Sequence, residues 1–549
     1  MPATIASTPE NTSHEKKGGT GRAIGIVSIA VMLSRILGLL RDQIISALFG
    51  GDAYRKWLDC YNMAFRVPNM LRDLFAEGAL STAFIAVFSK RIKTDGDQSA
   101  WSLARKVGTL TALFMTAVSI IGVIAAPLII WIMAPGWDGE KREFTIYLAR
   151  IMYPFILLVS LAALVMGMLN AKKIFAPPAL SSCFFNIFSV LVGLGVGWWI
   201  DHGFGKNAII GFAIGVLVGG LAQLGFQLPF LRKAGFRFKA DFGWKNDEGV
   251  KQILQLMWPA LIAGAAVQVN VTLNSIFASW AGDGAVTWLQ NAFRLMQLPL
   301  GVFGVTVATV TLPALSREAV HGINDRFRQI LSAGMRLVFV LTLPCAMGLF
   351  MLAEPIISIL FQHGRFNAFD TQQTALDLRY YAFGLVFYSA IKVLQPSFYT
   401  VGKRFFPMTV SLISIGANAI LNGVFVLVFH WGHTSLAMST ALVAALNFGL
   451  LYWGMRRETK HLDDENLLRT LVKLTLAVLG MAIVTWAWKA FLLDDWEQFG
   501  FIRRCFTLGF IIADAGLVFY VIAWLLNLDE INAIGRMIMK KFRRKRPIA

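Results

Sequence analysis

Arginines and carboxylates stand in this chain where an apolar sequence has least use for them. Arg35, Arg41 and Asp42 fall in and just after the run Ile24 to Leu40, while Asp59, Arg66, Arg72, Asp73 and Glu77 cluster around a second apolar stretch and Arg294 sits in a later one. An ionisable group inside a membrane span is costly, so it normally faces a cavity, has a partner and marks a pathway. Asp59, Arg66, Asp73 and Glu77 follow one another at spacings of seven, seven and four, which returns them to one helical face bearing both signs of charge. Pro68 lies among them and removes a backbone donor, so it is expected to kink that helix, with Gly38 as a second bending point. Several guanidinium groups around one space favour an anionic ligand, and their planar fork suits phosphate or pyrophosphate. Arg35, Arg41, Arg66, Arg72 and Arg294 are the guanidinium groups expected to line such a space, with Asp42, Asp59 and Glu77 as carboxylates that neutralise them.

The elements that must position these groups are membrane helices. Of 549 residues, 56% are hydrophobic and 15% charged, and the mean hydropathy is +0.61. A soluble fold cannot hide that much apolar surface. Breaks at polar and Gly/Pro-rich segments leave fourteen spans centred near residues 32, 74, 118, 158, 190, 220, 267, 303, 340, 388, 418, 445, 479 and 514. The N-terminus, the loops after even-numbered spans and the C-terminal tail hold 33 of the 51 Lys and Arg residues. Both termini are therefore expected on the cytoplasmic side. The net charge of +19 then meets anionic lipid headgroups rather than nucleic acid.

A weak echo runs through the chain at an offset near 228. Ala64-Phe65-Arg66 matches Ala292-Phe293-Arg294, and Tyr153, Phe155 and Leu157 match Tyr381, Phe383 and Leu385. Six spans per repeat is an even number, so the expected architecture is two parallel-repeat lobes, spans 1–6 and 7–12, plus two extra C-terminal spans. Duplicated lobes of this kind rock against each other around a central site.

Other chemistries have less support. Cys60, Cys183, Cys345 and Cys505 are scattered singly and read as packing residues. Asp95-Gly96-Asp97 has the spacing of a metal-binding carboxylate pair but lies in a short polar loop, and the seven histidines show no paired spacing. No catalytic residue, metal site or cofactor is expected, so a membrane glycosyltransferase or phosphatase is disfavoured. The membrane potential and a monovalent cation are the candidate driving forces.

The segment Ser34-Arg35-Ile36-Leu37-Gly38-Leu39-Leu40-Arg41-Asp42 resembles the MurJ (MviN) lipid II flippases, a branch of the multidrug/oligosaccharidyl-lipid/polysaccharide exporter superfamily. Arg66-Val67-Pro68-Asn69-Met70-Leu71-Arg72, with Phe75-Ala76-Glu77-Gly78-Ala79, is similar to that family's second-helix signature, and Arg294-Leu295-Met296 with Pro299 and Gly301 to its eighth. The resemblance implies an all-α polytopic protein of the bacterial cytoplasmic membrane. It would carry undecaprenyl-pyrophosphate-linked peptidoglycan precursor (lipid II) outward by alternating access, with another lipid-linked oligosaccharide as the alternative cargo. The resemblance makes Arg35, Arg41, Arg72 and Arg294 the cavity residues that bind the headgroup, and Asp42, Asp59, Arg66 and Glu77 the charges that pair and gate. Its partners would be lipid II, membrane lipid and proteins of cell-wall synthesis, not nucleic acid.

The expected organisation is a polar N-terminal segment at 1–22, an N-lobe at 23–233, a cytoplasmic linker at 234–250 and a C-lobe at 251–458. Residues 459–528 hold the last two spans, which the resemblance makes a groove for the lipid tail, and 529–549 form a basic tail. Asp73, Phe293 and Gln297 depart from relatives that carry a basic residue at the first position and acidic residues in the eighth span.

Overall fold

A computed structural model describes residues 15–74, 80–493 and 496–532, with side chains described for these except 15–26, 260, 262–267 and 497. Among them are α-helices and no strand: α1 (Glu15–Phe49), α2 (Arg55–Leu71), α3 (Ser81–Met133), α4 (Gly139–Met152), α5 (Phe155–Ala171), α6 (Ala176–Ile200), α7 (Ala208–Lys233), α8 (Glu248–Ala278), α9 (Ala285–Pro299), α10 (Val305–Ala319), α11 (Asp325–Met351), α12 (Ala353–Phe361), α13 (Ala368–Thr400), α14 (Phe405–Gly423), α15 (Thr434–Thr459), α16 (Asp464–Leu492) and α17 (Phe501–Leu525). Ten helical stretches among the described residues are long and apolar enough to cross a membrane, and each of the fourteen expected centres falls on helical backbone. Exposed Ile124, Trp199, Phe405, Phe491 and Phe506 fit lipid-facing surfaces, where an apolar side chain meets an apolar solvent.

The repeat reappears in the helix boundaries. At the offset of 228, the end of α2 at Leu71 becomes the end of α9 at Pro299, and a π-helical turn that begins at Arg72 becomes the π-helical turn at Leu300–Gly304. Gly96, where φ is +80° and the long α3 breaks, maps to the loop between α10 and α11. Pro68 lies buried inside α2, one turn before the first π-helical turn. Wide turns of this kind recur where a helix must bend at a functional site.

The chain divides into two compact units that interleave along the sequence. Of the described residues, one holds those up to Ile45, in Met63–Ile130 and in Arg142–Ala265; the other holds those in Ser46–Asn62, in Trp131–Lys141 and from Ala266 on. The first unit has an apolar core of Phe84, Phe88, Trp101, Leu164, Met168 and Leu231, with Phe236 stacked on Trp101 at 5.4 Å. Its α6 and α7 touch backbone to backbone. A Cβ built on Gly211 would stand 2.2 Å from the Gly197 nitrogen, and one on Gly215 would stand 2.4 Å from the Ser189 carbonyl. Small residues let helices approach this closely where lipid offers no hydrophobic drive. Gly211→Ala is therefore expected to cost about 1–3 kcal/mol through overpacking. Gly38→Ala, whose new Cβ would meet Asn186 at an ordinary 3.7 Å, should be neutral or stabilising by up to about 1 kcal/mol; thermal unfolding of the two variants checks the contrast.

Asp247 ties the loop before α8 to the rest of this unit. Its carboxylate, 4% exposed, accepts from Arg91 Nη1 at 2.7 Å and Lys106 Nζ at 2.8 Å. Burial pushes this carboxyl up, but the hydrogen bonds and charge of Arg91 and Lys106 overcome it and hold the pKa at about 2. A carboxyl depressed below its ordinary value contributes stability that is complete above about pH 4 and lost as the pH falls through about 2. Asp247→Asn should cost about 2 kcal/mol at neutral pH, and its deficit in unfolding temperature against wild type should shrink as the solution is acidified.

In the second unit α13 is the hub, packing against α9, α10, α11, α12 and α15. α16 packs on α11 and α17 on α12, where Leu352, Leu508 and Ile511 close a small core. Arg336 on α11 reaches Glu530 at 2.7 Å and Asp463 at 3.1 Å, so two carboxylates rather than the water interface take its charge.

Candidate functional site

The most densely bonded polar groups of the second unit lie at the helix ends and loops that follow odd-numbered spans. Asp59, in the first turns of α2, is fully buried. Gly284 precedes α9 with φ at +95° and no side-chain cap of its own, so the first amides of α9 need an acceptor from elsewhere. Asp59 supplies it: its Oδ2 accepts from the Gly284 amide at 2.6 Å, and its Oδ1 accepts from the Thr287 amide at 3.0 Å and hydroxyl at 2.7 Å. A carboxylate here also meets the positive end of the α9 dipole. Lys141 stands 3.8 Å from Asp59 and 2.5 Å from Asp283, closing the cluster with a cation from Trp131–Lys141.

A second carboxylate does the same at α13. Asp370 takes part in a capping box with Asn367, and it also accepts from the Gly51 amide at 2.9 Å, Arg55 Nε at 2.9 Å and Trp288 Nε1 at 3.0 Å. The Arg55 guanidinium lies over the Trp288 and Phe369 rings, at 5.3 and 4.9 Å. Nearby, the Arg365 amide and guanidinium donate to the Ala47 and Leu48 carbonyls at 2.8 and 3.0 Å, serving the last turn of α1. These bonds fasten Ser46–Asn62, contributed by α1 and α2, onto α9 and the start of α13, and Phe49, Trp57 and Leu58 of the same segment are buried as well.

The expected substrate arginines are distributed as follows. Arg41, 9% exposed, donates through Nε and Nη2 to Asp42 at 3.1 and 3.0 Å, and its guanidinium faces Phe65 and Phe185 at 6.0 and 5.5 Å. Arg72 donates in the same way to Asp73, at 3.2 and 2.8 Å. Arg35 is exposed on α1, and Arg66 and Arg294 are half-buried on α2 and α9. The structure thus joins Arg41 with Asp42 and Arg72 with Asp73, and takes Asp59 to the start of α9 instead of along its own helical face. Glu77 lies outside the described residues. Asp97 of the Asp95-Gly96-Asp97 loop pairs with Lys172 at 2.5 Å.

Several polar groups escaped the sequence reading. Asn418 donates to Asn270 and Asn274 at 2.6 and 3.0 Å, and Asn422 donates to Asn274 at 2.9 Å, forming an amide ladder across α8 and α14. Asp514, half-buried on α17, accepts from Trp488 Nε1 at 2.6 Å. His433 sits between Asp377 and Gln373. Uncharged amides leave little trace in a charge census, though Asn418 and Asn422 at a spacing of four within an apolar run was a readable signal.

Comparison with known proteins gives a consistent result. The family model described as lipid II flippase MurJ matches residues 45–507. A probable lipid II flippase MurJ of Vibrio cholerae is 34% identical over 495 residues, covering 88% of this chain and 91% of that protein. The lipid II flippase MurJ of Burkholderia cenocepacia is 31% identical over 498 residues, covering 89% and 95%. Among solved structures, a lipid II flippase MurJ in an inward closed conformation superposes with a TM-score of 0.70 at 25% identity over 90% of this chain and 98% of that one. An inward-facing multidrug resistance MATE family transporter shares the fold, with a TM-score of 0.65 at 17% identity over 80% and 98%.

Proposed function

The chain belongs to the lipid II flippase MurJ family, and from that premise we propose that it moves lipid II from the cytoplasmic to the outer leaflet of the bacterial inner membrane by alternating access. It is a multi-pass transporter, not an enzyme, and its place is in peptidoglycan synthesis. Both termini face the cytoplasm in this reading, as the Lys and Arg bias favours.

The observation that carries alternating access is the polar fastening of Ser46–Asn62 by Asp59 and Asp370. Hydrogen bonds to carboxylates pass to water when released and re-form on closing, so they suit a gate on the outer side. Arg35, Arg41, Arg72 and Arg294 supply guanidinium groups to the pyrophosphate and headgroup. Arg41 and Arg72 already hold carboxylates in the way a guanidinium holds phosphate, so Asp42 and Asp73 act as stand-ins that the ligand displaces. A ligand drives the cycle only by binding one arrangement better than another, and bridging several arginines meets that condition. Because the sites are cationic, the membrane potential contributes about 2.3 kcal/mol per charge per 100 mV to their resetting.

The test is rescue of cells depleted of their lipid II flippase. Wild type should rescue, and Arg35→Ala, Arg72→Ala and Arg294→Ala, present at normal membrane levels, should fail. Failure of wild type would move the cargo to another lipid-linked oligosaccharide; rescue by every variant would remove these arginines from the site.

A further inference from the structure

His433 and Asp377 form a buried pair that none of the chemistry above uses. His433 precedes α15 in the loop after the eleventh span, and Asp377 lies on the third turn of α13. Their side chains are 7% and 0% exposed. His433 Nδ1 stands 2.8 Å from Asp377 Oδ1, and its Nε2 stands 2.9 Å from Gln373 Oε1. With the Gln373 oxygen turned to the ring, both neighbours are acceptors, and an imidazole that satisfies both donates from both nitrogens and carries a proton more than its neutral form. With that proton lost, the Gln373 amide can turn end for end and donate instead, but Asp377 is left as a buried anion without its cation. Its second oxygen, Oδ2, is buried and has no hydrogen-bond partner among the described residues.

The pair is wired to the fastening of Ser46–Asn62 through one ring. The His433 imidazole packs on the Trp288 indole with centroids 4.7 Å apart, and that indole donates to Asp370, the acceptor that holds Gly51 and Arg55. A protonated imidazole is attracted to the indole face, whereas a neutral one is held there by contact alone. The other charged groups around the pair are already engaged. Arg55, over the same indole, is matched by Asp370 and Asp52; Arg379, two residues beyond Asp377, turns round α13 to Glu354 at 3.7 Å; His430, in the same loop, is exposed.

We propose that the His433–Asp377 pair is a proton-binding site that keeps the outer gate fastened while the proton is bound and loosens it when the proton leaves. The inference rests on reading Ser46–Asn62 as a gate segment. It gives the transporter a proton step exchanged on the side of the loops after odd-numbered spans. The closed gate holds one proton that the open gate releases, so alkaline conditions favour opening.

The experiment uses the full chain in lipid nanodiscs, with Cys345 and Cys505 replaced by serine and spin labels at Ala53→Cys and Phe429→Cys, both exposed positions. Double electron–electron resonance reads the fraction in which the labels have separated. That fraction should rise about threefold or more between roughly pH 5.5 and 8. It should stop responding to pH in His433→Gln, which keeps hydrogen-bonding capacity without titrating, and in Asp377→Asn. Trp288→Phe should uncouple the gate from pH while leaving the pair in place. A wild-type distance that ignores pH, or a response that survives in His433→Gln, overturns the proton site. Labels that never separate, even in Arg55→Gln or Asp59→Asn, would instead defeat the gate itself.

Discussion

Replacing Asp370 with alanine is expected to be the most damaging change at the gate. It removes the acceptor shared by the Gly51 amide, Arg55 and Trp288, and it breaks the capping box at the head of α13. Arg55, 13% exposed, would keep the Trp288 and Phe369 rings and, as a carboxylate partner, Asp52, which is 83% exposed and held by a bond that water competes for. Breaking a buried pair by removing one partner costs about 3–5 kcal/mol, because the other charge stays behind. A protein fastened at this point should pass from mostly closed to mostly open, with the spin-label separation described above as the readout. A double-mutant cycle with Arg55→Gln should give a coupling of about 1–3 kcal/mol, since both changes remove the same bond. Additive effects would show that Arg55 and Asp370 act on different steps.

Asp59→Ala should come second, at about 3 kcal/mol against the closed arrangement, or on the order of a hundredfold in its population. The change leaves the Gly284 and Thr287 amides, the first donors of α9, without their Asp59 acceptor, and takes one carboxylate from beside Lys141. Asp59→Asn should fall between wild type and alanine: one amide oxygen still accepts, but the amide nitrogen then faces donors. Rescue of flippase-depleted cells should follow the same order. Equal rescue by all three proteins would mean that the Asp59 cap stabilises α9 without controlling transport.

Some of the site could be read directly from residue order. Arg41 and Asp42 are adjacent, as are Arg72 and Asp73, and both pairs bond within one helix turn. Asp59 was legible as an intramembrane charge, but its partner was not. The face it shares with Arg66 and Asp73 suggested pairing along α2, whereas its bonds go to an α9 that begins with Gly284 and lacks a cap. Arg55, Asp370 and His433 carried no signal, because each is flanked by loop residues that a charge census assigns to water. Arg336 meets Glu530 and Asp463, two carboxylates far along the chain that no local pattern points to.

Composition and periodicity by themselves determined that this is a helical membrane protein, placed the expected span centres on segments that are helical, and pointed to a multi-helix repeat. Those properties depend on local sums: bilayer thickness sets how many apolar residues a span needs, and hydrogen bonding within each helix makes the spans self-sufficient. Which charge meets which was decided only by tertiary structure. An ion pair or a cap needs its partner within a few ångströms, and Asp59 with Thr287, Arg55 with Asp370, and His433 with Asp377 are separated by 228, 315 and 56 residues. No local pattern encodes such a meeting, because the energy that selects it exists only once the helices have packed and water has been excluded from between them.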